Sequence, residues 1–366
     1  MMLETFKSKF ITPVTTESDR ANNFNIIRFI AAIMVVYSHM GHIIGGPVFS
    51  IYNQAVSTIG VKIFFLISGY LITKSYMNDS NIVRYLTRRV FRIFPALIAI
   101  IVFSTFIVGP IFTTLSLNEY FHSPLIFDYL KNIFLKISYS LPGVFQNNIY
   151  PNAVNGSLWT LPVEFAMYLL LPAIVVVFKK LKILKQGILA VAVVALISDI
   201  IKIKYFPAAA LVIYNTNLYD WLTLVPFFFI GALFTFPEIR KLLNLQWATG
   251  IAAVALLIGA NQVKSEIIVA LVLPYFIFSF ALAPNPIFAN WFSKNDYSYG
   301  MYLYGFLIQQ LYSQFLGKHF SVNIATIICV LATFAAAFVS WHLIEKPCQK
   351  LGKKIINGPL GYKSKC

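Results

Sequence analysis

Charge is what this chain of 366 residues has least of. Lys, Arg, Asp and Glu together make up 11% of it, against 58% hydrophobic residues, and mean hydropathy is +0.74. Ordinary soluble domains carry about 25% charged residues. A chain this long and this poor in charge cannot cover a water-facing surface, so composition predicts that lipid is its solvent. Acids are the scarcer sign, 13 against 29 bases, and the net charge is +16. That excess does not point to nucleic acid, because the bases sit in short bands between long apolar runs, the distribution the positive-inside bias produces. Cysteine is equally sparse. Cys329 lies in an apolar run, and Cys348 and Cys366 lie near the C-terminus, with neither metal-ligand spacing nor a disulfide framework. No phosphate-cradling Gly-rich loop, metal-ligand cluster or nucleophile elbow is present, so the sequence implies no metal. The first apolar run contains Arg28 and lacks a small-x-small cleavage site, so it reads as a retained membrane helix and not as a removed signal peptide.

What the chain does have is apolar runs. Spanning the hydrocarbon core takes about 20 residues of helix. Candidates fall at 26–45, 56–76, 91–112, 159–178, 186–202, 220–236, 247–262, 264–283, 298–316 and 322–344; the run near 206–214 is too short. The seventh and eighth are separated only by the polar pair Asn261-Gln262, so their division stays open. The expectation is an all-α polytopic transmembrane helical bundle of about ten spans. With the N-terminus in the cytoplasm, 21 Lys and Arg fall in inner segments and 6 in outer ones, while Arg28 and Lys62 lie in or beside spans. That bias places both termini in the cytoplasm. The expected organisation is a cytoplasmic segment over 1–23, a membrane domain over 24–350 and a cytoplasmic tail over 351–366. Residues 113–158, rich in Asn, Ser, Pro and Tyr, form the longest loop, on the outer side. No repeat or low-complexity tract is evident.

Ionisable residues inside spans are costly and are functional candidates by default. Arg28 and His39 share the first span. Eleven residues are close to three helical turns, so both side chains face one way, about 16 Å apart along the axis. Arg28 snorkelling to lipid phosphate and His39 bonding a neighbouring helix is the structural alternative. His42, one turn further out among Gly41, Gly45 and Gly46, competes with His39 and reads better as interfacial. Arg84, Arg88 and Arg92 recur every four residues and so line one helix face, with Arg89 beside them. Guanidinium groups at a membrane edge suit phosphate oxygens, which they bind bidentately; such bands also bind lipid headgroups and fix orientation. Glu164, in Gly156-Ser157-Leu158-Trp159-Thr160-Leu161-Pro162-Val163-Glu164-Phe165, lies about one turn inside the fourth span. At a depth similar to that of His39, it could fix the imidazole tautomer and raise its basicity, or it could bond backbone or Tyr and Trp donors. Ser68-Gly69 in Phe64-Phe65-Leu66-Ile67-Ser68-Gly69-Tyr70 permits close helix packing. Tyr297-Ser298-Tyr299 opens the ninth span, and Trp341-His342-Leu343-Ile344-Glu345-Lys346-Pro347 reads as a charged helix stop.

Together these residues resemble the acyltransferase-3 family of membrane acyltransferases, which modify bacterial surface glycans and related acceptors. The resemblance runs from residue 24 to about 350. It is carried by Arg28 with ten residues before His39, Phe64-Phe65 with Ser68-Gly69-Tyr70, Arg88-Arg89 with Arg92 and Pro95, Ser157-Leu158-Trp159 with Glu164, Ser298-Tyr299, and Glu345-Lys346-Pro347. Where many members carry a Trp-His pair in the ninth span, this chain has Tyr304 and Gly305, so no role transfers there. Many members also carry an outer esterase-like domain; none is seen here, so the acceptor is expected to be served by the membrane domain or by a separate partner.

The resemblance implies an O-acyltransferase, in particular an O-acetyltransferase, in a bacterial inner membrane. The donor would be cytoplasmic acyl-CoA (acetyl-CoA for acetyl transfer), its phosphates held by Arg28, Arg88, Arg89 and Arg92. The acceptor would be a hydroxyl of an extracytoplasmic or lipid-linked polysaccharide. His39 would be the general base, supported by Glu164, with direct transfer and an acyl-histidine intermediate both open. The rival reading is a transporter or flippase for a glycan or lipid-linked intermediate, although the sequence shows no paired halves and no matched set of broken helices. A non-catalytic scaffold would leave the alignment of Arg28 with His39 unexplained. The oligomeric state is not legible.

Overall fold

The computed structural model describes residues 22–206, 211–258, 261–284, 286, 288 and 295–357. Lys7, Lys9 and Arg20 of the N-terminal segment, Lys294, and the tail from residue 358 with Cys366 lie outside the described residues. The chain is a helical bundle. Its helices are α1 (Phe24–Ile43), α2 (Val56–Asn78), α3 (Ile82–Phe103), α4 (Thr160–Lys180), α5 (Leu184–Tyr205), α6 (Val225–Leu233), α7 (Leu245–Leu256), α8 (Gln262–Ala281), α9 (Ser298–Leu316), α10 (Val322–Ser340) and α11 (Lys346–Asn357). Helices are the open-chain structure that satisfies every backbone group in lipid. Two antiparallel two-residue hairpins, Ser50–Ile51 with Gln54–Ala55 and Val212–Ile213 with Thr216–Asn217, are additions that the hydrophobic pattern does not announce.

Seven of these helices are long and apolar enough to cross a membrane, namely α1 to α5, α8 and α10 with its continuations. The other three apolar runs are helical in different ways. Helix α6 has nine residues, about 13 Å of rise, and Phe227, Phe228 and Phe229 in it are buried. A short helix at membrane depth is tolerated where protein surrounds it. Gly69 of α2 meets the Phe228 carbonyl and Gly231 of α6 meets the Leu66 carbonyl, so a Cβ at either position would collide with backbone. Helix α7 ends at Leu256, and Asn261 caps α8 by accepting from the Lys264 amide at 2.9 Å, so the seventh and eighth runs are separate helices. Helix α9 is packed almost wholly inside the bundle, with Gln309 and Gln310 fully buried in it.

The 113–158 loop is folded onto α9. Gln310 donates to the carbonyls of Tyr150 and Ala153, Asn148 donates to Gln310, and Asn155 donates to the Leu303 carbonyl. The buried Gln310 amide of α9 therefore satisfies loop carbonyls, and Asn148 and Asn155 of the loop satisfy carbonyls of α9 in return. The expected helix stop at Glu345-Lys346-Pro347 is not one. After α10 a π-helical turn, Trp341–Glu345, leads directly into α11. Pro347 is tolerated because it sits in the first turn of α11, beside the wider turn.

Candidate active site

Helix α1 carries Arg28 and His39 at opposite ends, as their spacing requires, and each lines a separate cavity. The Arg28 cavity, about 270 Å³, is also walled by Arg88, Arg89 and Arg92 of α3, Glu164 of α4 and Lys353 of α11. The structure thus brings together Arg28, Arg88, Arg89 and Arg92, the four expected to hold the donor, while Arg84 of the same band does not line the cavity. Asn81 caps α3 by accepting from the Arg84 amide at 2.9 Å, and the one-turn spacing of Arg88 and Arg92 puts both on the face that walls the cavity. Arg28 and Arg92 share one carboxylate, Asp296 Oδ2, at 3.1 and 2.7 Å. Asp296 also accepts from the Ser298 amide and hydroxyl at the start of α9. Burial alone would raise the Asp296 carboxyl, but Arg92, Arg28 and Ser298 outweigh it and hold it down at about 2. The carboxylate is therefore charged at any working pH. Arg88 pairs with Asp79, which also takes Arg84 at 3.0 Å. Arg89 donates to Ser75 Oγ at 2.9 Å and lies over the rings of Tyr85 and Tyr168.

Three carboxylates, Glu164 in the wall and Asp79 and Asp296 on the arginines, thus face five guanidinium groups and the Lys353 ammonium, and the cavity keeps a positive surplus. The Nε groups of Arg84, Arg88 and Arg89 have no hydrogen-bond partner among the described residues. A set of Arg donors with unmet capacity fits phosphate groups. The loop carrying Asp296 is itself pinned, because Trp341 Nε1 and Lys346 Nζ both donate to Asn295 Oδ1, at 2.9 and 3.1 Å.

His39 is half-buried in a cavity of about 210 Å³, edge-on to Phe306 at 5.4 Å between ring centres. His42, one turn on, is exposed. The His39 cavity abuts the arginine cavity, since Val61 and Tyr302 line both. Tyr302 is fixed there by donating to the Ser157 carbonyl at 2.8 Å and by bonding Thr160 Oγ1 at 2.6 Å. The structure does not bring Glu164 to His39. Glu164 accepts from Ser68 Oγ at 3.2 Å and from the Tyr168 hydroxyl, and it lines the arginine cavity. The acid in the His39 cavity is Asp220, together with Ser57, Thr58 and Thr223.

Sequence reasoning missed Asp296, Asp79 and Asp220. In a chain with 13 acids, an Asp two residues before Ser298-Tyr299, and another just ahead of the arginine band, were the available signals. Among the described residues no group of three or more His, Cys, Asp or Glu is placed to hold a metal ion.

A family model described as an acyltransferase domain matches residues 22–342. An O-acetyl transferase of Shigella phage Sf6 is 28% identical over 335 residues, which cover 89% of this chain and 96% of that protein. Nodulation protein 10 of Rhizobium leguminosarum bv. viciae is 29% identical over 365 residues, covering 93% of this chain and 96% of that protein. No solved structure gives a significant match. The chain belongs to the acyltransferase-3 family. It is an integral membrane acyltransferase that takes its acyl group from acyl-CoA.

Proposed function

We propose that this protein is an O-acetyltransferase of a bacterial inner membrane, moving acetyl from cytoplasmic acetyl-CoA to a hydroxyl of an extracytoplasmic or lipid-linked polysaccharide. The observation that carries this reading is the pair of abutting cavities along α1, one lined with arginines and one with His39. Arg28, Arg88, Arg89 and Arg92 hold the phosphates of the donor, which leaves the thioester to reach toward Tyr302 and His39. The acceptor hydroxyl enters on the His39 side. His39 takes the hydroxyl proton as the oxygen bonds to the thioester carbonyl carbon. The carbon–sulfur bond then breaks, and His39 returns the proton to the departing thiolate, so the products are the ester and free CoA thiol. Glu164, held by Ser68 and Tyr168, acts from the donor side of Tyr302, where it orders the wall against which the thioester lies. The membrane domain in this reading is 24–350, with about ten spans and with 1–23 and 351–366 in the cytoplasm. The acetyl group is supported by the name of the phage relative, an O-acetyl transferase, and the cytoplasmic side of the donor by the charge bias of the loops.

His39→Ala is the decisive experiment. Folded, purified variant should keep acyl-CoA binding and lose transfer by about a hundred- to ten-thousandfold, measured as CoA thiol released at saturating donor. Exposed His42→Ala should do much less. Near wild-type transfer in His39→Ala would remove the proposed base. The orientation has its own check. A cysteine placed at Ser80, in a cysteine-free background, should react only with a cytoplasmic probe, and labelling from outside would overturn both the topology and the route of the donor.

A further inference from the structure

The His39 cavity holds more polar capacity than a lone hydroxyl needs. Asp220 lies at its wall with its side chain about half exposed (48%), and its nearest cation, Lys202, is 3.9 Å away, the loosest ion pair in the molecule among the described residues. Trp159 lines the same cavity half-buried, and its indole N–H donates to no described residue. Ser57, Thr58 and Thr223 add hydroxyls. Thr58 and Thr223 also line a neighbouring cavity of about 170 Å³ that contains Asn53 and Gln54, so the polar wall continues past His39.

The floor of that second cavity is fixed. Lys62 Nζ donates to both Glu266 oxygens at 2.6 and 2.7 Å and to Gln54 Oε1 at 2.8 Å, while Gln54 Nε2 donates to Glu266 Oε2 at 3.0 Å. Lys62 and Glu266 have spent their bonding capacity on each other; Asp220 has not.

We propose that the His39 cavity is the seat of one saccharide ring of the acceptor, with the Asp220 carboxylate accepting hydrogen bonds from two of its hydroxyls and the Trp159 indole covering its C–H face. A sugar ring offers adjacent donor hydroxyls on its edge and an apolar face, and a carboxylate beside an aromatic platform matches both. The hydroxyl to be acylated then points at His39, and neighbouring sugar units run along Thr58 and Thr223 toward Gln54. This assignment rests on the reading of His39 as base and names the substrate contacts of that same site.

The test uses purified full-length protein with acetyl-CoA and a panel of methyl glycosides of glucose, galactose, mannose, rhamnose and N-acetylglucosamine, following CoA thiol release. Wild type should be stimulated by at least one glycoside. For that glycoside Asp220→Asn and Trp159→Ala should each raise the acceptor KM by about tenfold or more, with the acetyl-CoA KM unchanged and kcat within a few-fold. Trp159→Phe, which keeps a platform, should recover most of the loss. The two tryptophan variants keep the test valid if an Asp220 variant fails to fold. No stimulation by any glycoside, unchanged acceptor KM in both variants, or a fall in kcat at constant KM would overturn the assignment. His39→Ala run beside them separates the two ideas: if it is inactive while the acceptor KM is untouched in Asp220→Asn and Trp159→Ala, the saccharide seat is wrong and the base stands. If folded His39→Ala turns over, the base itself is wrong.

Discussion

Two ionic networks, one fully buried and one half-buried, tie distant segments of this bundle together, and they differ in their arithmetic. Lys62 of α2 and Glu266 of α8 form one pair, closed by Gln54, with side chains 0% and 3% exposed. Every oxygen of Glu266 and the ammonium of Lys62 is occupied within the protein. In the other network Arg28 and Arg92 share the one carboxylate of Asp296, and the next carboxylate along, Asp79, also serves two arginines. In the first network Lys62 and Glu266 bond each other and Gln54, with the buried Asp199 carboxyl close by, so bases do not outnumber acids. A network with more guanidinium groups than carboxylates is incomplete until an anion joins it. The saturated network crosses the bundle as a structural tie, and the unsaturated one lines the cavity assigned to the donor. The stoichiometry of charge, more than its presence inside the membrane, separates scaffold from site.

The largest effect that would sharpen this contrast is on folding. Glu266→Ala takes from the buried Lys62 ammonium the carboxylate it bonds directly, and breaking a buried pair in this way costs about 3 to 5 kcal/mol. The variant should show a clearly lower thermal unfolding temperature in detergent or nanodiscs. The paired replacement Lys62→Met with Glu266→Leu, which removes both charges together, should recover much of the loss. A Glu266→Ala protein as stable as wild type would erase the distinction drawn here.

How much of this was readable beforehand follows from what a periodic pattern can encode. Arg28 and His39 lie on one helix, so eleven residues of spacing fixed their common face and separation. Arg88, Arg89 and Arg92 were legible for the same reason. Asp296 was not, because it reaches Arg28 from 268 residues away, across a pairing that no local period records. Lys62 and Glu266, 204 residues apart, were equally hidden as a pair. Similar depth suggested that Glu164 meets His39, but depth leaves the rotation of α4 about its axis undetermined, and that rotation turns Glu164 to Ser68 and Tyr168. Hydropathy likewise located the apolar stretch at 220–236 but not the turn before Val225 that makes α6 a short internal helix. Pro347 looked like a terminator because its place in the first turn of a following helix depends on the wider turn before it.

A smaller effect tests the other side of the contrast. Arg92→Ala removes one guanidinium from the incomplete network and leaves Asp296 paired with Arg28 at 3.1 Å. The carboxylate is not stranded, so the fold should survive with little loss of stability, unlike Glu266→Ala. What should fall is donor affinity. A charge-assisted bond contributes about 1.5 to 3 kcal/mol, which corresponds to roughly ten- to hundredfold weaker acyl-CoA binding. Turnover at saturating donor should change far less, because in the proposed role Arg92 holds phosphates and does not touch the reacting atoms. Titration of donor binding by calorimetry, alongside kcat and KM for acetyl-CoA, separates these outcomes. Arg88→Ala and Arg89→Ala should weaken binding in the same direction, Arg89 most because it bonds Ser75 and no carboxylate among the described residues, whereas Asp79 offsets part of the charge of Arg88 as Asp296 does for Arg92. If all three variants bind acyl-CoA as wild type does, the arginine band answers only to lipid headgroups, and the surplus of positive charge in this cavity serves the orientation of the bundle.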